Sequence, residues 1–211
     1  MLIVGLTGGI ACGKSTVARL LERKGALLIS ADQLAREVVE PGKPAYREIV
    51  SWLGRGILTE EGTLDRKALA DIVFHQEEAR TRLNAIVHGR VGELLQARSR
   101  DLEARHPCGI QVWEVPLLFE GGMESTVDVV VVVASSEENQ LLRLQQRDGL
   151  SRSEALARIL TQLPLERKIS AGDFVLHNND TEEDLEQQTA EVWRKLSEIQ
   201  YSRKRSPGDA V

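Results

Sequence analysis

Gly8-Gly9-Ile10-Ala11-Cys12-Gly13-Lys14-Ser15 decides the fold, because it meets the phosphate-binding pattern G-x-x-x-x-G-K-[ST] at every fixed position. Before it, Leu2-Ile3-Val4-Gly5-Leu6 is an apolar run that predicts a buried strand. After it, Val17, Leu20 and Leu21 fall on one face of a helix that Gly25 can stop. Strand, loop, helix is the context in which such a loop works. Its backbone curls so that several N–H groups converge on one point, and the following helix adds its positive end. Lys14 brings a mobile point charge to the β/γ-phosphates of a nucleoside triphosphate, and the Ser15 hydroxyl suits Mg²⁺. The alternative is a glycine-rich turn that matches by accident. Average composition yields such a match in only about 1% of chains this long.

Working outward, 211 residues suffice for one α/β core with inserted subdomains. A net charge of −5 argues against general nucleic-acid binding, so any anion site must be built locally. The two cysteines, Cys12 and Cys108, form neither a disulfide framework nor a zinc spacing and suit a reducing cytosol. Cys12, beside Lys14 at a helix start, reads either as a thiol of lowered pKa or as a small residue that fits the loop. No signal peptide and no membrane-length apolar run is present, which predicts a soluble cytoplasmic protein.

Apolar runs recur at 2–6, 26–29, 110–115, 127–133 and 174–176, continuous rather than alternating, as in parallel strands covered on both faces. Helical stretches separate them. The expected architecture is therefore α/β: five parallel strands flanked by helices in an open, doubly wound sheet. Two insertions interrupt it. Residues 33–108 read as helices, with Leu83, Ile86, Val87, Val91, Leu94 and Leu95 as an apolar stripe, and are long enough to carry a second binding surface. His88, flanking that stripe, reads as a packed histidine. Residues 137–171 open with capping-box pairs Ser135/Glu138 and Ser151/Glu154. They also hold a basic excess: Arg143, Arg147, Arg152, Arg158, Arg167 and Lys168. For Arg152 and Arg158 a solvated helix face is the expectation. Arg143 and Arg147, one turn apart and just beyond a strand, read equally as solvated or as phosphate contacts. A last helix starts near Thr181, and 202–211 reads as a disordered tail.

Phosphoryl transfer to a hydroxyl needs a group to orient or deprotonate it. Asp32 follows the second strand at the carboxyl edge, where ligands bind in such sheets, and is the candidate for that role. Its alternative is to cap the helix it enters. Glu114 ends the third strand before Pro116, placed either to hold Mg²⁺ through water or to pair with an arginine. No Asp-x-x-Gly switch or Asn-Lys-x-Asp guanine reader is present, which excludes a regulatory GTPase. Protein-kinase and dinucleotide motifs are absent too.

Further stretches carry a resemblance: Ala31-Asp32-Gln33-Leu34-Ala35-Arg36, Leu64-Asp65-Arg66, Val73-Phe74, Val115-Pro116-Leu117-Leu118-Phe119-Glu120, Gln146-Arg147-Asp148-Gly149-Leu150-Ser151, Ala157-Arg158-Ile159 with Gln162, and Asp173 to Asn178. With the loop, they resemble the dephospho-coenzyme A kinases, small P-loop kinases of the nucleoside-monophosphate-kinase type. The resemblance implies a P-loop NTPase fold and ATP-dependent phosphorylation of the ribose 3′-hydroxyl of dephospho-CoA, the last step of CoA synthesis. It implies a core of residues 1–32, 109–136 and 172–201, a helical acceptor domain 33–108 and a helical lid 137–171. It makes Ala11, Cys12, Gly13, Lys14, Ser15 and Thr16 the ATP phosphate loop and Asp32 the base. Arg143 and Arg147 would close on the phosphates, Asn178 would lie near the adenine, and Mg²⁺ would sit on Ser15. The implied partners are ATP and dephospho-CoA, with no nucleic acid and no membrane, for a monomer or weak homo-oligomer.

The chain departs from the family pattern at Ala11 (usually Gly), Ser30 (Asp), Glu114 (Asp), Gly89 (Pro) and Gly172 (commonly Ala). Alanine at 11 is comfortable only at negative φ; positive φ carries strain. Two other classes compete: a P-loop kinase for another small hydroxyl acceptor, and a scaffold that binds ATP without using it.

Overall fold

Each apolar run becomes a strand: β1 (Leu2–Gly8), β2 (Leu27–Ser30), β3 (Ile110–Glu114), β4 (Val129–Ala134) and β5 (Phe174–His177). Their order is β2-β3-β1-β4-β5, with β1 paired in parallel to β3 and β4, and β4 to β5. In the register Leu6 stands opposite Glu114 and Gly8 opposite Val133, so the segments after these strands leave from one carboxyl edge. The computed structural model describes residues 1–204. It divides into two units, residues 1–29 with the chain from 102 onward, and Ser30–Asp101.

The first unit is built on continuous burial. Every residue of β4 is buried, as five consecutive valines demand when helices cover both faces of a sheet. Its core joins Leu2, Val4 and Leu6 of β1 to Val131 and Val133 of β4. Val17, Leu20 and Leu21 of α1 (Lys14–Arg23) and Leu185, Val192 and Leu196 of α9 (Glu182–Lys204) complete it. Each such side chain contributes about 1.5–3 kcal/mol on burial. Asp128 and Asp173 hold strand starts by accepting the N–H of Ile3 (2.8 Å) and Val130 (2.7 Å). Helices α6 (Glu137–Asp148), α7 (Arg152–Leu160) and α8 (Leu165–Ala171) form the 137–171 insertion. Gly172, which ends α8, explains one departure: a Cβ there would stand 2.5 Å from Val132 Cγ2, so the β-branched strand residue fills the space an alanine needs.

Four α-helices make the second unit: α2 (Ala31–Glu37), α3 (Pro44–Leu53), α4 (Arg66–His75) and most of α5 (Glu77–Arg105), up to Asp101. Pro44 pre-sets the first turn of α3. Asp65 caps α4, accepting from the N–H of Lys67 (2.9 Å) and Ala68 (3.0 Å). Ala45, Ile49, Ile57, Leu64 and Ile86 form its own core, with Leu83 and Val87 against it, so the expected stripe does turn inward.

Three local expectations need correction. Ser136, not Ser135, caps α6, accepting the Asn139 N–H at 3.3 Å. The reason is that the Ser135 hydroxyl is engaged elsewhere, donating to the Asn178 carbonyl at 2.8 Å. The Ser151/Glu154 box does form. His88 is exposed rather than packed, because it lies off the edge of the α5 stripe. Helix α9 carries through Ser202 and Arg203 to Lys204, so the expected tail begins in helix; Arg205 onward lies outside the described residues.

Candidate active site

The loop between β1 and α1 contributes almost no side chains of its own, so its shape rests on backbone conformation and outside ties. Gly13 (φ 94) is the N-cap of α1 and its carbonyl accepts the N–H of Thr16 (3.0 Å) and Val17 (3.2 Å). No acidic residue sits in the first turn of α1, so the helix N-terminus keeps its positive character. A Cβ on Gly13 would collide with the Asn178 amide, so positive φ and close approach both require glycine. Ala11 sits at φ 59, the left-handed region that strains a non-glycine residue by about 1–2 kcal/mol.

Lys14 is buried and its ammonium donates to the carbonyls of Gly8 (3.2 Å) and Gly9 (2.8 Å), which keeps the charge beneath the loop. Ser15 beside it presents an exposed hydroxyl with no hydrogen bond to the described residues, and Thr16 is half-buried. Cys12 is fully buried, and burial pushes its thiol above the ordinary cysteine range despite Lys14 nearby. Of the two readings of Cys12, the structure supports the packing residue.

The two insertion arginines part company. Arg143 turns to the loop, donating to the Ala11 carbonyl (3.2 Å), the Ser135 hydroxyl (3.2 Å) and the Asn178 carbonyl (3.0 Å). Arg147 is 61% exposed and chelates Asp148 through Nε (2.8 Å) and Nη2 (3.0 Å). Its hydrogen bond to that carboxylate raises its already high pKa. Arg158 shares Asp148, and Arg152 pairs with Glu138, so both lie on a solvated face as expected. Asn178 joins the loop, its amide donating to the Cys12 carbonyl at 2.9 Å.

Two carboxylates are free of the roles that competed with chemistry. Asp32 is exposed in the first turn of α2, where Ser30 holds the N-cap position, and it has no hydrogen-bond or ion-pair partner among the described residues. Capping does not account for it. Glu114 is half-buried at the end of β3, and no described arginine pairs with it.

Sequence reasoning missed Lys168, read as part of a basic run. It is fully buried, pairs with Glu120 at 2.7 Å and reaches the Pro116 carbonyl at 3.4 Å, which also accepts the Thr7 hydroxyl at 3.2 Å. Its position three residues after the inward-facing Leu165 was the available signal. Burial alone would raise the Glu120 pKa; the Lys168 ammonium and the Leu163 N–H outweigh it and hold the carboxyl below its usual range. Gln162, whose side chain accepts the Ile10 N–H at 2.9 Å, was likewise unassigned. Among the described residues no group of three or more His, Cys, Asp or Glu could hold a metal, and no helix is long and apolar enough to cross a membrane.

The family model described as "Dephospho-CoA kinase" matches residues 2–184. The chain belongs to the dephospho-CoA kinase family. It is 49% identical to the dephospho-CoA kinase of Geobacter sulfurreducens over 92% of this chain and 98% of that one. Among solved structures, dephospho-CoA kinase from Campylobacter jejuni superposes with a TM-score of 0.72 at 30% identity, covering 93% of this chain and 98% of that one. TT1252 from Thermus thermophilus gives a TM-score of 0.76 at 37% identity, over 92% and 97%. Dephospho-CoA kinases phosphorylate dephospho-CoA at the final step of CoA synthesis, and this chain is such a kinase, using ATP.

Replacing Glu120 by Gln strands a buried ammonium, an effect of about 2–3 kcal/mol for so partly exposed a partner, or about 4–12 °C in Tm at pH 7. Because the folded-state pKa of Glu120 is depressed, its contribution is present above the unfolded value and is lost as pH falls through the folded one. Thermal melts should therefore show a constant gap between wild type and Glu120→Gln above about pH 5 that narrows progressively as pH falls below about 4.3, the ordinary glutamate value. A Tm gap that does not narrow over the whole acid range would show that the charge pair is not its source. Gly13→Ala should cost about 2–3 kcal/mol from strained φ plus the Asn178 clash. Adding Asn178→Ala should recover part of that loss but not the φ component, as calorimetry would show.

Proposed function

We propose that this chain transfers the γ-phosphoryl group of ATP to the ribose 3′-hydroxyl of dephospho-CoA, with the phosphate loop holding ATP and Asp32 orienting and deprotonating the acceptor. The observation that carries the reading is the loop itself: a buried ammonium, an unopposed helix N-terminus and an exposed serine hydroxyl on adjacent residues. The acceptor oxygen forms a bond to the γ-phosphorus, the bond from γ-phosphorus to the β,γ-bridging oxygen breaks, and ADP leaves. Asp32 takes the hydroxyl proton, a role supported by its exposure and its lack of a structural partner. Lys14 moves from the Gly8 and Gly9 carbonyls to the β/γ-phosphates and offsets charge there.

Amides of residues 11–16 receive the phosphates, Arg143 keeps that segment in shape, and Asn178 borders the adenine. Arg147 reaches the nucleotide by leaving Asp148, an exposed pair of small worth. The donor set fits Mg²⁺: one neutral hydroxyl on Ser15, with Glu114 at the neighbouring strand end, and no cage of carboxylates among the described residues. Such a site suits a cation carried mainly by phosphate oxygens and water. When bound, Mg²⁺ would neutralise charge on the phosphates. In the Ser30–Asp101 unit, a groove of about 610 Å³ whose lining includes Val38, Lys43, Pro44, Arg90, Glu93 and Leu94 supports its reading as the acceptor domain. Helices α6 to α8 act as the lid, excluding water that would hydrolyse ATP. The enzyme works in the cytoplasm, as a monomer or weak homo-oligomer, without nucleic acid.

Purified protein should convert dephospho-CoA to CoA with ATP, and leave nucleosides and sugar acids unphosphorylated. Product from those acceptors alone would assign a different small-molecule kinase, and no product from any would leave an ATP-binding scaffold. Asp32→Asn should reduce kcat by about 10²–10⁴ with ATP affinity nearly unchanged; near-normal turnover would remove Asp32 from the chemistry. Lys14→Ala should lose both ATP affinity and rate, and intact affinity by calorimetric titration would argue against the loop.

A further inference from the structure

The apex of the phosphate loop is held from outside on both of its polar faces. Ile10 donates its N–H to Gln162 Oε1 at 2.9 Å, across 152 positions of sequence. One residue on, the Ala11 carbonyl accepts from Arg143 at 3.2 Å. Between these grips lies the one non-glycine residue at positive φ among the described residues. Released, Ala11 would fall back to the negative-φ basins that alanine prefers, and every amide after it would turn.

Gln162 is itself fixed. It stands just past Thr161, the C-cap of α7, and its N–H is held by the Ile159 carbonyl at 3.2 Å. Its neighbour Leu163 donates to Glu120 at 3.0 Å, the same carboxylate that pairs with the buried Lys168 at 2.7 Å. The apolar side chains agree with the polar ones. Ile10 and Ala11 pack against a cluster of Leu141 and Leu144 from α6 and Ala155 from α7. The loop apex therefore belongs to the core of the 137–171 helices as much as to the sheet.

We propose that Gln162 is a positioning residue for ATP: its side-chain carbonyl sets the Ile10–Ala11 peptide and, through it, the amides of residues 11–16. Helices α6 and α7 and the loop apex move as one body, so lid position and phosphate-loop geometry are a single variable. The proposal rests on the reading of residues 11–16 as the ATP phosphate loop. Gln162 touches no reacting atom; it acts through the loop.

Two variants separate the acceptor from mere packing. Gln162→Met keeps the side-chain length and removes the carbonyl; Gln162→Glu keeps an acceptor. Hydrogen exchange by NMR should show the Ile10 amide exchanging at least about tenfold faster in Gln162→Met, with Val131 to Val133 of β4 unchanged. ATP affinity, titrated without acceptor, should weaken by about five- to twentyfold, and the KM for ATP should rise while that for dephospho-CoA stays put. In Gln162→Glu the Ile10 amide should remain protected. A Gln162→Met protein with normal Ile10 exchange or normal ATP affinity overturns the proposal, as does equal loosening of β4 or loss of Ile10 protection in Gln162→Glu. Absence of ATP binding by wild-type protein would instead overturn the loop assignment beneath it.

Discussion

The grip that distant residues keep on the loop between β1 and α1 is the interaction on which the rest of the first unit's carboxyl edge depends. Such a loop cannot stabilise itself, since its residues are small and its internal hydrogen bonds few. Here it also carries Ala11 at φ 59, which disfavours the required shape. Neighbours supply what the loop lacks. Arg143 holds the Ala11 carbonyl, Asn178 the Cys12 carbonyl and Gln162 the Ile10 N–H. Cys12 and Val17 anchor the same segment in the apolar core, and Ile10 packs against the α6–α7 cluster. The shape of this loop is thus a product of the whole first unit rather than of eight residues.

Local charge follows the same logic. The chain is acidic overall, yet its buried cations, Lys14 and Lys168, stand at the carboxyl edge of the sheet beside the loop and the Pro116 carbonyl. Lys168 is balanced by Glu120, so its charge fixes structure. Lys14 donates to the Gly8 and Gly9 carbonyls of the loop itself. The exposed Arg147–Asp148–Arg158 group adds little stability and leaves its guanidinium groups easy to redirect.

The Ser30–Asp101 unit has a different character. It has a small apolar core of its own, a capped helix at Asp65 and a groove bearing Lys43 and Arg90. Both cations are matched, to Glu37 and Glu48, so the groove is polar without being strongly basic. Asp32, at the start of this unit and without a hydrogen-bond or ion-pair partner among the described residues, is the residue whose presence structure alone does not explain.

Much was legible in the sequence by itself: the phosphate loop, the five strands, the helical character of both insertions, and the kinase family. Those features are local. A strand covered on both faces must be continuously apolar, and a phosphate loop needs glycines, lysine and a hydroxyl at set spacing. Tertiary structure decided the rest. It chose Ser136 over Ser135 as a cap because Asn178 claims the Ser135 hydroxyl. It turned Arg143 to the loop and left Arg147 on Asp148, though one helical turn and identical chemistry made them equivalent on paper. It buried Lys168, raised the Cys12 thiol and placed Ala11 at positive φ. The physical reason is distance along the chain: the partners of Ala11, Ile10 and Cys12 lie 132, 152 and 166 positions away, where no local pattern can register them.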